Sequence, residues 1–167
     1  MQLAKAEGGG LLSEAPQDLI SLLAHVVDEW NHSSGRQIEL QLPAQTMVCS
    51  TIDPDAFGIL LRNLIENAVK YGAADQPIEV SLTDQALLRV VNGCPVVPEL
   101  VLQHLTERFV RGSSEASGSG LGLAIAKTIV QGVNARMMLV SPATGRLEGF
   151  EVCVWLPLTP NVIVEYV

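Results

Sequence analysis

In LLRNLIENAVKYG, residues 60–72, the side chains Asn63, Asn67, Lys70 and Tyr71 fall at helical spacings of three and four and so share one face. Two carboxamides and an ammonium on one face could hold a magnesium ion and the phosphates it bridges, because hard Mg²⁺ takes oxygen donors and keeps several waters. A solvated outer face would look similar, but asparagine is a poor helix former and two of them one turn apart suit a surface badly. A second stretch, GSGLGLAIAK at residues 118–127, sets Gly118, Gly120 and Gly122 ahead of an amphipathic pattern. Backbone without Cβ atoms lets a bulky group approach the unpaired amides at a helix start, and the natural occupant is a phosphate. Taken alone, the glycines also describe a flexible linker entering an ordinary helix. No Gly-Lys-Ser/Thr follows and no strand of Rossmann type precedes them, so neither a P-loop nor a dinucleotide fold is read.

These residues need elements to position them. Asp53 and Pro54 open a long helix as N-cap and first helical residue, with Phe57, Leu60, Leu61, Leu64, Ile65 and Ala68 inward and an end near Tyr71 and Gly72. A helix is expected from Pro16 to about Asn31, and another from Leu121 to Gly132. RQIELQLP alternates as a half-buried strand, and PIEVSLTDQALLRVVNG reads as two strands around a turn at Thr83, Asp84 and Gln85. ARMMLVSP and GFEVCVWLP close the chain as strands around Thr144 and Gly145. Between Gly93 and Gly118 the pattern is irregular apart from one helical turn at Leu100–Leu105, which suggests a lid or binding loop. Helices and strands mix without strict alternation, favouring a helical layer on a mixed or antiparallel sheet.

At 167 residues and 48% hydrophobic content the chain can bury one sizeable core, so a single domain is expected. The net charge of -8 excludes a general nucleic-acid or anionic-membrane binder, and any bound anion must be held locally. Cys49, Cys94 and Cys153 form no CxxC or Cys/His cluster and read as reduced thiols in a cytoplasmic setting. No apolar run approaches membrane-span length. EGGG at residues 7–10 reads as a flexible joint, giving residues 1–15 as the end of a preceding helix and a linker, 16–158 as the domain and 159–167 as a tail.

NLIENAVKYG resembles the N box, ERFVRG at 107–112 the F box, and GSGLGLAIAK the second glycine box of the ATP-binding catalytic domain of sensor histidine kinases. They occur in family order, and the resemblance covers roughly residues 16–157. It implies the α+β two-layer sandwich known as the Bergerat fold, a mixed, mostly antiparallel sheet of about five strands under about three helices, with a mobile ATP lid. Carried over, Asn67 would coordinate Mg²⁺, Asn63 and Lys70 would reach the phosphates, and Tyr71 and Val97 would flank the nucleotide. Gly118, Gly120, Leu121 and Gly122 would offer backbone to the phosphates, Arg108 or Arg111 would approach the γ-phosphate, and Phe109 would latch the lid. Relatives that hydrolyse ATP place a glutamate where Asn63 stands, so the resemblance implies a phosphoryl donor to a histidine. The acceptor would lie in a dimerisation domain outside this chain, with a response regulator as the next partner. The chain would be monomeric alone, and the full protein a homodimer at the cytoplasmic side of a membrane.

The family's first glycine box reads Asp-x-Gly-x-Gly, and here Asn92, Cys94 and Val96 stand at its three signature positions. Asn92 could accept a hydrogen bond from the adenine amine, at a cost on the order of 1 to 3 kcal/mol against a carboxylate. Val96 is expected to crowd the purine or to resist a positive φ. A degenerate module with weak or lost ATP binding, acting in regulation, is the competing reading. His25, His32 and His104 lack a phosphoacceptor context, and Trp30 and Trp155 read as core or interface anchors.

Overall fold

The computed structural model describes residues 10–107 and 122–159. Seven strands and four helices are formed among them: β1 (Leu12–Asp18), α1 (Leu19–Ser33), β2 (Ile38–Gln41), β3 (Cys49–Ile52), α2 (Pro54–Tyr71), β4 (Ile78–Leu82), β5 (Leu87–Asn92), α3 (Glu99–His104), α4 (Gly122–Gly132), β6 (Arg136–Val140) and β7 (Phe150–Trp155). Five strands make one sheet in the order β2-β4-β5-β7-β6, and β1 pairs with β3 in a separate two-stranded ribbon. β2 runs parallel to β4 and every other pairing in the large sheet is antiparallel.

Strand alternation produces two unlike faces. Ile78, Val80 and Leu82 of β4, Leu88 and Val90 of β5, and Phe150, Val152 and Val154 of β7 are buried in the core. The helices supply the other half: Leu19, Leu23, Val26 and Val27 from α1, Leu60, Leu61, Leu64 and Ile65 from α2, and Ile125, Ala126 and Ile129 from α4. Each fully buried leucine or isoleucine contributes about 1.5–3 kcal/mol relative to exposure. The expected sandwich, helices on one face of a mixed five-stranded sheet, is therefore observed.

The N-terminal end departs from expectation. Residues 12–18 form a strand, and the first helix starts at Leu19 instead of Pro16. Asp18 ends the strand and caps the helix: Oδ1 accepts from the Ile20 and Val48 amides, and Oδ2 accepts from the Ser21 hydroxyl. Burial pushes the Asp18 carboxyl up, but these donors outweigh it and hold it below the usual range. Leu11, assigned from sequence to a linker, is buried in the core, and its carbonyl accepts from the Asp53 amide at 2.7 Å.

Helix α2 behaves as its sequence dictates. Asp53 caps it by accepting from the Ala56 amide, Pro54 opens it and Gly72 closes it. Its last carbonyls find a long-range partner: Arg36 donates from Nη1 to Val69 O at 3.0 Å and from Nη2 to Ala73 O at 2.9 Å. A guanidinium at a helix C-terminus satisfies orphan carbonyls and complements the dipole. On the sheet face turned away from the helices, Glu151 is 2% exposed and ion-paired to Arg89.

Candidate nucleotide site

The polar face of α2 descends from the interior to solvent. Asn63 is buried, Asn67 and Tyr71 are half-buried, and Lys70 is exposed. Asn63 donates from Nδ2 to the Ile59 carbonyl at 2.7 Å, one turn back, which turns Oδ1 away from its own helix. A Cβ built on Gly122 would lie 3.6 Å from that oxygen, so the first turn of α4 packs directly over Asn63. The structure thus brings Asn63 and Gly122 together although they lie far apart in sequence. Lys70 Nζ sits 3.0 Å from Glu66 Oε1 across an exposed pair. Such a pair is worth about 0.3–0.5 kcal/mol, so Lys70 can leave it for a stronger anion at little cost.

At the C-terminal end of α2 the helix meets the end of β5. A Cβ on Gly72 would come within 3.0 Å of Asn92 Cβ, a close approach only glycine permits there. Asn92 is 2% exposed, and its Nδ2 donates to Gly93 O at 3.3 Å. From residue 63 to residue 72 the helix axis advances about 13 Å, the reach of a nucleoside triphosphate from phosphates to base. One side of α2 therefore carries Gly122 of α4 at one end and a buried carboxamide at the other.

The segment that replaces the first glycine box is held by the β6–β7 loop. The Val97 amide donates to Ser141 Oγ at 2.9 Å, Ser141 Oγ donates to Gly149 O at 2.6 Å, and the Gly149 amide donates to Cys94 O at 2.8 Å. Val97 packs against the core. Of the two difficulties expected at Val96, the positive φ is not required. Among the described residues only Ala86 and Asn134 are non-glycines at positive φ, so Cys94 and Val96 follow an ordinary backbone path. The Val96 side chain is 48% exposed, turned out to solvent.

Burial pushes the Cys94 thiol above its ordinary pKa, with the Asn92 side chain pulling the other way. Among the described residues no cation contributes to its shift. Below the loop, Glu151 accepts from Arg89, from Thr144 Oγ1 at 3.0 Å and from Cys153 Sγ at 3.1 Å. Burial pushes Glu151 up, but these three donors hold it below the usual carboxylate range, and Arg89 is raised in turn. Burial and the neighbouring Glu151 push the Cys153 thiol up to about 11.

Arg108, Phe109, Arg111, Gly118, Gly120 and Leu121, and with them the expected lid, lie outside the described residues. His25, His32 and His104 are exposed, the last beside Glu107. Trp30 packs on the core, whereas Trp155 stacks under the Arg136 guanidinium at 4.1 Å on the opposite sheet face. A groove of about 550 Å³ between α3, α4 and β6, lined by Leu102, Lys127, Val130 and Met137 among others, contains none of the expected site residues. Sequence reasoning missed Arg36, Ser141 and Gly149, whose roles arise from contacts at long sequence separation and leave no local signal.

Among the described residues no group of three or more His, Cys, Asp or Glu is arranged to hold a metal ion. The donors available suit a cation that arrives already chelated by phosphate, with Asn67 adding one neutral oxygen. No helix among the described residues is long and apolar enough to cross a membrane.

A two-layer sandwich in which the first residue of α4, Gly122, packs on the carboxamide-bearing face of α2 points to a nucleotide-binding class. Residues 52–160 match the model of the histidine kinase-, DNA gyrase B-, and HSP90-like ATPases, and the chain belongs to this family. It is 33% identical over 168 residues to the signal transduction histidine-protein kinase BaeS of Escherichia coli, an alignment covering 94% of this chain and 35% of that protein. It is likewise 33% identical over 164 residues to the sensor protein kinase PmrB of Pseudomonas aeruginosa, covering 94% of this chain and 34% of that one. The chain thus spans about a third of the length of these relatives. The fold is shared with the mycobacterial sensor histidine kinase MprB, at a TM-score of 0.76 and 22% identity over 88% of this chain and all of that one. Full-length ShkA in complex with AMPPNP superposes with a TM-score of 0.75 at 22% identity, over 97% of this chain and 35% of that one.

Proposed function

We propose that this chain is the ATP-binding catalytic domain of a two-component sensor histidine kinase, binding Mg-ATP and donating the γ-phosphoryl group to a histidine of a dimerisation domain. The observation that carries the reading is the packing of Gly122 over Asn63, at the polar face of α2. The family match and the AMPPNP carried by the similar ShkA support ATP as the ligand. In this reading Asn67 ligates Mg²⁺, Lys70 leaves Glu66 for the phosphates, and Tyr71, Asn92 and Val97 bound the nucleoside. Gly118, Gly120, Leu121 and Gly122 offer backbone amides to the phosphates, and Arg108 and Arg111 neutralise charge on the transferred group. The magnesium, when bound, supplies charge neutralisation across the β- and γ-phosphates.

Asn63 has no ionisable proton acceptor, so water activation by a carboxylate at this position is missing and transfer to a partner residue is favoured over hydrolysis. A response regulator then receives the phosphoryl group, and the domain works at the cytoplasmic side of a membrane within a homodimer. Titration of a fluorescent ATP analogue with and without Mg²⁺ tests this. Saturable, Mg²⁺-dependent binding that Asn67→Ala abolishes is expected, and no saturation up to millimolar nucleotide overturns it.

A further inference from the structure

The buried carboxamide at the end of β5 bears on which purine the site accepts, an inference that rests on the reading above. Asn92 lies against the C-terminal turn of α2, at the end of the site remote from Asn63 and Gly122. It is 2% exposed, so whatever it meets, it meets in a desolvated place. Its Nδ2 carries two hydrogens, of which Gly93 O takes one across a long 3.3 Å contact. The Asn92 side chain also hydrogen-bonds the Cys94 thiol, a weak partner that a base can displace.

A carboxylate at this point can only accept. It would draw in the exocyclic amine of adenine and repel the O6 carbonyl of guanine, so selection would work by repulsion as much as attraction. A carboxamide lacks that repulsive element. Oδ1 can accept from the adenine amine. Equally, the second Nδ2 hydrogen can be given to guanine O6 while Oδ1 accepts from guanine N1–H. At the purine 6-substituent asparagine can thus meet an amine or a carbonyl, where aspartate can meet only the amine. The neighbouring backbone adds no strained turn: Cys94 and Val96 follow ordinary φ values and the Val96 side chain is 48% exposed.

We propose that Asn92 relaxes purine selection, so that this site takes guanosine triphosphate as well as adenosine triphosphate. The test is displacement of a fluorescent ATP analogue from the full chain by Mg-AMPPNP and by Mg-GMPPNP, for the natural sequence and for Asn92→Asp. The two nucleotides are expected to compete within about tenfold of each other on the natural chain, and Asn92→Asp is expected to widen the gap by about tenfold or more, chiefly by weakening GMPPNP. Circular dichroism of the variant shows that its fold is kept. Adenine binding with guanine rejected by more than about a hundredfold on the natural chain overturns this inference and leaves the proposed function standing. A ratio unchanged by Asn92→Asp likewise overturns it. Failure of both nucleotides to bind at millimolar concentration overturns the proposed function as well.

Discussion

Replacing Glu151 by glutamine tests whether the far face of the sheet supports the nucleotide side. The carboxylate is 2% exposed and satisfies Arg89, Thr144 and Cys153 together. Removing one partner of a buried ion pair costs about 3–5 kcal/mol because a charge is left uncompensated. Arg89 keeps about a third of its side chain exposed at 32%, so water can resolvate it and the lower end, about 2–3 kcal/mol, is expected. For a domain of this size that lowers Tm by roughly 4–12 °C. The same substitution loosens Thr144 and the loop whose Ser141 and Gly149 hold Val97 and Cys94, so nucleotide affinity is expected to fall in parallel.

The pH dependence has a definite sign. Glu151 is held below its unfolded pKa, so its contribution is fully present above the ordinary glutamate range near pH 4.3 and is lost as pH falls through the depressed folded value. Urea denaturation of both proteins at pH 7 and at descending pH below 4.5 reads this directly. The two stability curves should converge in acid. Equal midpoints at pH 7, or a constant difference down to the lowest pH, would refute the argument.

Arg36→Ala should lower the urea midpoint by the equivalent of about 1–3 kcal/mol by removing the side-chain donor to the Val69 carbonyl in the last turn of α2 and one of two donors to Ala73 O just beyond it, and Arg36→Lys should restore only part of it. Gly122→Ala should fold normally, because its Cβ meets Asn63 at an ordinary 3.6 Å, whereas Gly122→Leu should abolish analogue binding by filling that space, as fluorescence titration would report. Cys153 should resist iodoacetamide at pH 8, with its pKa of about 11 leaving roughly one thiolate in a thousand, and peptide mapping should find Cys49 alkylated first. Leu61→Ala, at a fully buried position of α2, should cost about 2–5 kcal/mol in chemical denaturation.

What could be read from sequence follows the range of the forces concerned. Helix α2 was legible from Asp53-Pro54 to Gly72 because caps and apolar spacing act within a turn or two. β4 and β5 were legible because a tight turn joins them, with Ala86 adopting positive φ just past the anticipated residues. β1 and β3 were not: LSEAPQD carries a proline and three side chains that favour solvent, CSTI is four residues long, and only their mutual pairing makes either a strand. Pro16 was taken for a helix start when Asp18 had the stronger capping chemistry, shared with Val48 thirty residues away. The alignment of Asn63 with Gly122 could be anticipated through family resemblance, since no local rule joins residues so distant. The outward turn of Val96 could not, for it depends on Ser141 and Gly149 holding the loop from another part of the chain.

Leu11 enters the core beside the last residue of α4, where a Cβ on Gly132 would come within 2.2 Å of its Cδ1. The same helix begins at Gly122 against Asn63, so its two ends abut Leu11 and the buried carboxamide of α2 respectively. Eleven residues of helix, about 16 Å along the axis, thus span the distance from the Leu11 contact to the Asn63 contact, tying both to one rigid element.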